Sequence, residues 1–446
     1  MSSDAAVLGL RGDLDEALTS DYLREQRWFG AQTREVSGVT VVDSVPVAVD
    51  LAVALVDVNF SGGGRALYQV LLGESDGEVR DATRQPDISR RVLELVATGG
   101  SSDGRDGRIT YKAIRSIDGV ESFDVELVGG DQSNTSTVVG NLMLKTYRRV
   151  VAGVNPELDM LLFFSEHGFA HVPNLVGWYS YAGTHIDATL GIVQCFVPDA
   201  VDGWKLGLEE VATAPAVFGA RLRRLGQVVG EMHTVLASDA ADAAFMPEEP
   251  TPESSGLVTA KIDEEIDSMF DEFSARDELA PLAGRRDDAH SMIAQLAGGF
   301  TPGRMIRTHG DLHLGQTLWA AHDWLVIDFE GEPARPASER RQKSFPLRDV
   351  AGMLRSISYL VATLERDGHE VPGGWEAEAR EQLLDGYRTG APGAVLPQSV
   401  EAQDRQLGLF ELEKAFYELR YELDNRPDFV PIPVQSILAI LERQVQ

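Results

Sequence analysis

The chain has 446 residues, of which 43% are hydrophobic and 25% are charged, and this ordinary globular composition allows more than one hydrophobic core. A formal net charge of −30 argues against binding to nucleic acid or to an anionic membrane surface. The single cysteine, Cys195, excludes an intramolecular disulfide. We see no signal peptide and no apolar run of roughly 18 residues, and we therefore expect a soluble, cytoplasmic monomer.

Residues 1–96 are predicted to form a β-rich N-terminal domain. A run rich in β-branched residues, "GVTVVDSVPVAVDLAVALVDVNF", is followed by the Gly62-Gly63-Gly64 turn and a second strand-like run, "RALYQVLLG". "DISRRVLELVAT" then has the spacing of a helix. The Gly/Ser/Asp-rich stretch at 98–108 is typical of a linker, so a domain boundary is expected there.

Residues 97–200 are predicted to form a small mixed lobe. "ESFDVELVG" and "STVVGNLMLKTYRRV" have strand patterns, and the second contains a tight Gly140-Asn141 turn. "NPELDMLLFFSEHG" is predicted to be a helix, because Pro156 suits a first helical turn and Gly168 suits a helix end.

Residues 201–446 are predicted to form a large helical lobe. A loop and a short strand interrupt it at 308–330, so the chain has the pattern of an α+β protein. In the loop "HGDLHLGQ", Asp311 can accept the proton of a hydroxyl nucleophile. Gln316 and Asp328, which ends the apolar run "WLVIDFE", can supply the oxygen ligands that Mg²⁺ prefers. This order of groups is typical of phosphoryl transfer by kinases.

Two other interpretations of the loop stay open. His309, Asp311 and His313 could bind zinc, although they alternate along a loop and no cysteine lies near them. Asp311 could also be a structural cap of the loop.

A kinase also needs a cation on the nucleotide phosphates, and Lys145 in "NLMLKTYRR" is the candidate. It interrupts an apolar strand, where lysine is seldom buried without a partner. Glu157 or Asp159 on the following helix could supply that partner. A lysine that faces water at the end of a strand is the alternative.

Two further segments are candidates for nucleotide binding. The polar turn "GGDQSNTSTVV" could present N–H and O–H groups to phosphates, as a glycine-rich loop does, through Ser133, Asn134 and Thr135. The segment "QCFVPDAVDGW" fits a connector between lobes, whose backbone could contact adenine at Gln194, Phe196 and Val197.

At these residues the chain resembles the aminoglycoside-phosphotransferase-like kinases and, within them, the actinobacterial maltokinases and the related glucosamine kinases. The resemblance covers most of the chain and rests on the segments "RWFG" (27–30), "DQSNTS", "NPELDM", "HGDLHLGQ", "IDFEGEP", "PLRDVAGMLRS" and "FYELRYELDNRPDF". Gln316 stands where the broad superfamily usually has Asn. The resemblance implies a bilobal, protein-kinase-like fold with an N-terminal cap domain, to which residues 1–96 correspond.

The resemblance also implies residue roles. Asp311 is expected to be the catalytic base, while Gln316 and Asp328 bind Mg²⁺. Lys145 is expected to meet the phosphates of ATP, the phosphoryl donor, and the hinge is expected near Gln194–Val197.

Four residues near these motifs have expected supporting or undecided roles. Asp349 in "PLRDVAG" is expected to support the loop, and His233 in "GEMHTVL" to be a packed helix histidine. Glu330 and Glu332 either line the metal region or face solvent.

The acceptor implied by the resemblance is a sugar hydroxyl, and the helix "LGLFELEKAFYELRYELDNRP" bears on which sugar it is. One apolar stripe of this helix is expected to be core, namely Leu412, Phe416, Leu419 and Leu423. The helix should end near Arg426, because Pro427 disfavours helix at the preceding residue. Acidic residues on its flanks would suit an ammonium group if they faced the cleft, and the candidates are Glu411, Glu418 and Asp424.

Maltokinase-like sequences commonly have a neutral residue near the position of Asp424, and we therefore expect glucosamine, phosphorylated at its 6-hydroxyl. The enzyme alternatives are a maltokinase that forms maltose 1-phosphate and an antibiotic-modifying small-molecule kinase. The non-enzyme alternative is a pseudokinase. The presence of all four candidate residues argues against it, namely Lys145, Asp311, Gln316 and Asp328.

Overall fold

The structure is a computed structural model, and it describes residues 18–26, 28–29, 34–48, 50–75, 78–83, 85–119, 124–128, 134–273, 276–298, 303–332, 335–391 and 393–442. The chain divides into two compact units, Met1–Pro198 and Asp199–Gln446, which we call the N-terminal and C-terminal units. The predicted domain boundaries after residues 96 and 200 stay a prediction.

The described part of the N-terminal unit combines three helices with antiparallel strands. The helices are α1 (Ser20–Glu25), α2 (Pro86–Thr98) and α3 (Pro156–His167). The strands are β1 (Val36–Ala48), β2 (Leu51–Phe60), β3 (Arg65–Ser75), β4 (Glu78–Asp81), β5 (Gly100–Asp103), β6 (Gly107–Ala113), β7 (Val125–Leu127), β8 (Asn134–Val139), β9 (Leu142–Tyr147), β10 (Arg149–Val150), β11 (Leu175–Gly183) and β12 (Asp187–Cys195).

The first sheet has the order β1-β2-β3-β10, and β4 also pairs with β3. Its long strands come from the β-branched run that the sequence marked as strand. Trp28 and Phe29 of the "RWFG" segment are 5% and 0% exposed, and both rings contact Tyr68 at centroid distances of 5.7 Å and 5.2 Å. This segment therefore contributes aromatic rings to the core of the first sheet, while Arg27 and Gly30 lie outside the described residues.

The second sheet has the order β5-β6-β11-β12-β9-β8-β7. The hairpin β8–β9 turns at Gly140-Asn141, with φ of 59° at Gly140, as the sequence predicted. Helix α3 was also predicted with its ends: the Asn155 side chain accepts a hydrogen bond from the Glu157 amide at its start, and Gly168 ends it in the left-handed conformation.

The C-terminal unit is mainly helical. Its helices are α4 (Gly203–Thr213), α5 (Pro215–Leu236), α6 (Pro252–Phe273), α7 (Arg286–Ala297), α8 (Ala337–Arg340), α9 (Leu347–Arg366), α10 (Trp375–Gly390), α11 (Val400–Asn425) and α12 (Pro431–Leu441). A three-stranded sheet has the order β13-β14-β15, with strands β13 (Val201–Asp202), β14 (Thr317–Ala320) and β15 (Asp323–Val326). Short 3₁₀ turns lie at Asp277–Leu282, Leu314–Gln316 and Pro427–Phe429.

Helix α11 confirms two details of the sequence analysis. The predicted apolar stripe is at most 4% exposed at every position, namely Leu412, Phe416, Leu419 and Leu423. The helix ends at Asn425, and Arg426 caps it before Pro427. Within the part of the chain that the structure describes, no helix is both long enough and apolar enough to cross a membrane.

Candidate active site

The loop that carries Asp311 is held by Asp349 on helix α9. The carboxylate of Asp349 accepts hydrogen bonds from the amides of His309 at 2.8 Å and Gly310 at 2.9 Å. His233 lies 3.1 Å from the same carboxylate through Nε2 and 3.0 Å from the Tyr387 hydroxyl through Nδ1. Burial alone raises the pKa of Asp349, but its hydrogen bond to His233 and its other partners outweigh burial and lower it. Asp349 thus has the supporting position, and His233 the packed position, that the sequence predicted.

Helix α9 also approaches the loop closely through small residues. A Cβ atom at Gly352 would lie 2.6 Å from the carbonyl oxygen of Leu312, so only glycine allows this approach. Ser356 accepts a hydrogen bond from the Leu314 amide at 3.1 Å. The contacts recur at a helical spacing along α9, which explains why "PLRDVAGMLRS" accompanies the loop motif.

Asp311 forms an ion pair that the sequence analysis missed. Its Oδ1 lies 2.9 Å from Nζ of Lys414 on helix α11, and the two side chains are 16% and 20% exposed. Burial alone raises the pKa of Asp311, but the charge of Lys414 and a smaller contribution from His313 outweigh burial and lower it to about 2. Asp311 is therefore ionised at neutral pH.

Gln316 and Asp328 meet because β14 and β15 form a hairpin. Thr317 pairs with Val326 in the ladder, and the amide of Ile327 donates to the Gln316 carbonyl at 3.0 Å. Nε2 of Gln316 lies 3.1 Å from the Asp328 carboxylate. An amide and a carboxylate are hard oxygen ligands, so this pair fits a Mg²⁺ ion by its chemistry.

A cavity of about 340 Å³ lies beside Asp311 and is lined by helices α6 and α11 and by the segments around residues 310, 332 and 348. A series of ion pairs follows its wall. Arg335 pairs with Glu332 and, at 3.2 Å, with Glu413. Arg348 also donates to Glu413 at 3.0 Å. The volume falls in the range of small-ligand sites.

The predicted sugar-binding carboxylates do not line this cavity. Glu411 pairs with Arg380 and Glu418 pairs with Arg355, each at 2.7 Å, while Asp424 is exposed near the end of α11. The helix instead presents a different face to the cavity, through Glu413, Lys414, Phe416, Tyr417 and Arg420. A role of these three carboxylates in sugar binding stays a prediction. The sequence located the helix, and side chains on other helices decide which of its flanks is covered.

In the N-terminal unit, Lys145 on β9 forms a buried pair with Glu157 on α3. Nζ lies 2.9 Å from Oε2, with the side chains 8% and 3% exposed. The Tyr147 hydroxyl donates to the same oxygen at 2.8 Å. Of the two partners considered from the sequence, Glu157 rather than Asp159 forms this pair.

The other candidates for nucleotide binding differ in how far they are exposed to solvent. Ser133 lies outside the described residues, and Asn134 and Thr135 are buried in β8. The Thr135 hydroxyl accepts a hydrogen bond from Nε of Arg148 at 2.9 Å, so it is engaged within the N-terminal unit. At the end of the unit, Gln194 is buried on β12, Val197 is partly buried and Phe196 is 36% exposed. Their nucleotide contacts stay a prediction.

Comparisons with known proteins agree with this architecture. Residues 22–114 match the maltokinase N-terminal cap domain, and residues 124–377 match the phosphotransferase enzyme family. A glucosamine kinase of Streptacidiphilus jiangxiensis is 27% identical over 86% of this chain and 93% of its own length. A glucosamine kinase of Mycolicibacterium smegmatis is 31% identical over 52% of this chain and 57% of its own.

Among solved structures, a glucosamine kinase in complex with glucosamine, ADP and inorganic phosphate has a TM-score of 0.70 at 20% identity, covering 96% of this chain and 99% of that one. At this identity the likeness shows the fold, and it confirms the predicted α+β, kinase-like class with a β-rich N-terminal cap. The phosphotransferase match alone spans more than half of the chain. The chain therefore belongs to the phosphotransferase enzyme family.

Proposed function

We propose that the protein is an ATP-dependent sugar kinase whose acceptor is D-glucosamine and whose product is D-glucosamine 6-phosphate. The observation that carries the proposal is the ionised Asp311, fixed by Lys414 in the wall of a cavity of about 340 Å³. Support also comes from relatives, since a protein named glucosamine kinase matches 86% of the chain. Of the hydroxyls of a hexosamine, the primary one is the least hindered.

Asp311 would orient the sugar hydroxyl and accept its proton. A carboxylate whose pKa is about 2 is a weak base. This suits a loose phosphoryl-transfer transition state, in which orientation of the nucleophile matters more than early removal of its proton. Gln316 and Asp328 would hold Mg²⁺, which neutralises charge on the transferred phosphate when bound. Lys145, oriented by Glu157, would meet the ATP phosphates.

Glu265 on α6 is our candidate for the ammonium group of glucosamine. It lines the same cavity as Asp311, and it has no hydrogen bond or ion pair with any residue that the structure describes. Burial and the charge of Glu413 raise the pKa of Glu265. The nearby cations are engaged elsewhere: Lys261 with Glu339, and Arg335 and Arg348 with Glu413. A bound ammonium would therefore supply the positively charged partner that Glu265 lacks among the described residues.

A maltokinase is the second candidate, with phosphate transferred to the reducing carbon of maltose. Two observations favour it: the match of residues 22–114 to the maltokinase cap domain and the positive charge of Lys414 beside Asp311. A neutral disaccharide would not be repelled by that charge.

The test compares kcat/KM for glucosamine, N-acetylglucosamine, glucose and maltose, with the phosphorylated position of each product determined by NMR. We expect glucosamine to be preferred, and N-acetylglucosamine to be poor because acetylation removes its charge. Glu265→Gln should lower the preference for glucosamine over glucose by roughly 10- to 150-fold, which corresponds to a charge-assisted hydrogen bond of ~1.5–3 kcal/mol. Asp424→Asn, an exposed carboxylate off the cavity, is the matched control and should change nothing. Preference for maltose with a 1-phosphate product would establish the second candidate instead.

The organisation of the chain remains part of the proposal: a cap at 1–96, a small lobe at 97–200 and a large lobe at 201–446, in a cytoplasmic monomer. Lys145 belongs to the small lobe and Asp311 to the large one. A truncated protein spanning 97–446 that folds and retains phosphotransfer would support the first boundary. Light scattering of the full chain would test the monomer.

A further inference from the structure

Lys414 lies outside the segments that carry the family resemblance, and it is the ion-pair partner of Asp311. Its Nζ lies 2.9 Å from Oδ1 of Asp311, 4.0 Å from Glu332 and 4.2 Å from the centre of the Tyr417 ring. Glu332 is already paired with Arg335. Asp311 is therefore the main partner of Lys414.

We infer that Lys414 is a positioning residue for Asp311: its ammonium fixes Oδ1, which leaves Oδ2 for the acceptor hydroxyl. This inference rests on the proposed function. Among the residues that the structure describes, none donates a hydrogen bond to Oδ2. Asp311 itself lines the cavity, so its second oxygen is available to a ligand.

The histidines that face Asp311 are engaged with the backbone. Nδ1 of His309 accepts from the Asp311 amide at 3.3 Å, while Nε2 lies 2.9 Å from the Ile327 carbonyl. His313 accepts from the Gly315 amide through Nδ1 at 3.1 Å, and burial lowers the pKa of His313. Lys414 is thus the main cation that offsets the buried Asp311 charge, and His313 contributes less.

The helix that carries Lys414 limits where its ammonium can go. Leu412 and Phe416, two residues on either side, are 0% and 4% exposed and anchor this turn of α11 in the core. The stem of Lys414 therefore starts from a fixed backbone, and its ammonium reaches Asp311 across a sequence separation of 103 residues. Because the ammonium of Lys414 is held in this way, it can keep the Asp311 carboxylate in one orientation.

The experiment measures the pH dependence of kcat/KM for the wild type, Lys414→Met and Lys414→Arg. The wild type should show no acid limb from Asp311, because its pKa of about 2 lies below the working range. In Lys414→Met, the largest charge that offsets burial is lost and only the smaller contributions of His313 and His309 remain, so the pKa of Asp311 should rise and the acid limb should move up towards the working range. Lys414→Arg retains the charge and should restore the wild-type profile.

Lys343→Met is the matched control, because Lys343 pairs with Glu248 in the same unit and its side chain is only 7% exposed. A structural contribution alone would lower the stability of both methionine variants and leave both pH profiles unchanged, and that outcome would overturn the inference. Isotope-edited NMR can measure the pKa of the Asp311 carboxyl in the wild type, Lys414→Arg and Lys414→Gln. This measurement does not require turnover. If no sugar is phosphorylated but this carboxyl still titrates higher in Lys414→Gln, only the proposed function fails.

Discussion

Two lysine–carboxylate pairs, one in each unit, have the same length of 2.9 Å but different surroundings. In the Lys145–Glu157 pair the side chains are 8% and 3% exposed, and the Tyr147 hydroxyl donates to the same carboxylate oxygen. In the Lys414–Asp311 pair they are 20% and 16% exposed, and both residues line a cavity. The first pair is closed and joins a strand to a helix. The second is open on one side and leaves a carboxylate oxygen to a ligand.

The largest difference should appear in turnover when the open pair is altered. Asp311→Asn retains an oxygen for Lys414 but cannot take up a proton, so we expect a loss of ~10²–10⁴-fold in kcat with the fold preserved. Asp424→Asn makes the same chemical change at an exposed site and should retain full activity. Near-normal kcat in Asp311→Asn, measured by coupled ADP release, would show that Asp311 is not the proton acceptor.

Breaking the closed pair should lower stability, in addition to removing the contact that Lys145 is proposed to make with ATP. Lys145→Met leaves the Glu157 charge buried, and removal of one partner from a buried pair costs ~3–5 kcal/mol in the free energy of unfolding. The double variant Lys145→Met/Glu157→Gln removes the stranded charge and should recover much of that loss. Urea unfolding followed by circular dichroism measures both. If the double variant were as unstable as the single one, charge burial would not be the cause.

The two pairs also show what could be predicted from sequence. Lys145 interrupts an apolar strand and its partner lies on the next helix, so local pattern was sufficient to find the lysine and two candidate partners, of which Glu157 forms the pair. Asp311 and Lys414 are 103 residues apart, and no spacing rule connects them. Glu265 was missed for the same reason, since only the folding of α6 beside α11 brings it to the cavity.

The fold shows the same division between local and long-range information. The hairpin turn at Gly140, the ends of α3 and the end of α11 before Pro427 depend on neighbouring residues, and each was predicted. The order of the seven-stranded sheet depends on pairing β6 with β11, which are distant in sequence. Which flank of α11 is covered depends on Arg355 and Arg380, which lie on other helices and pair with Glu418 and Glu411.

The smallest effect is expected at a third cluster of ion pairs, which is partly exposed. His290 on α7 contacts Asp263 at 2.5 Å and Asp267 at 3.0 Å on α6, and Arg286 also lies 3.6 Å from Asp267. Hydrogen bonding to Asp263, partly offset by burial, raises the pKa of His290 above 6.5. Its contribution to stability is therefore present below about pH 6.5 and is lost as the pH rises through the folded-state pKa.

Because these side chains are solvent-screened, His290→Gln should lower the unfolding free energy by only ~0.2–1 kcal/mol per pair at pH 5.5. At pH 9 the variant and the wild type should be equally stable. Thermal unfolding at the two pH values makes the comparison, and a destabilisation of equal size at both would mean that packing rather than charge is responsible.

The hydrogen-bonded series Tyr387–His233–Asp349 links helices α10, α5 and α9 to the loop, and its members are at most 2% exposed. The backbone of the loop is therefore set during folding, before any substrate arrives. The entropy cost of arranging Asp311 is incurred once per protein molecule rather than once per reaction cycle. Such a loop does not adapt to different acceptors, because every acceptor must fit the same carboxylate position. Mutations in the helical core behind the loop should therefore change the catalytic rate.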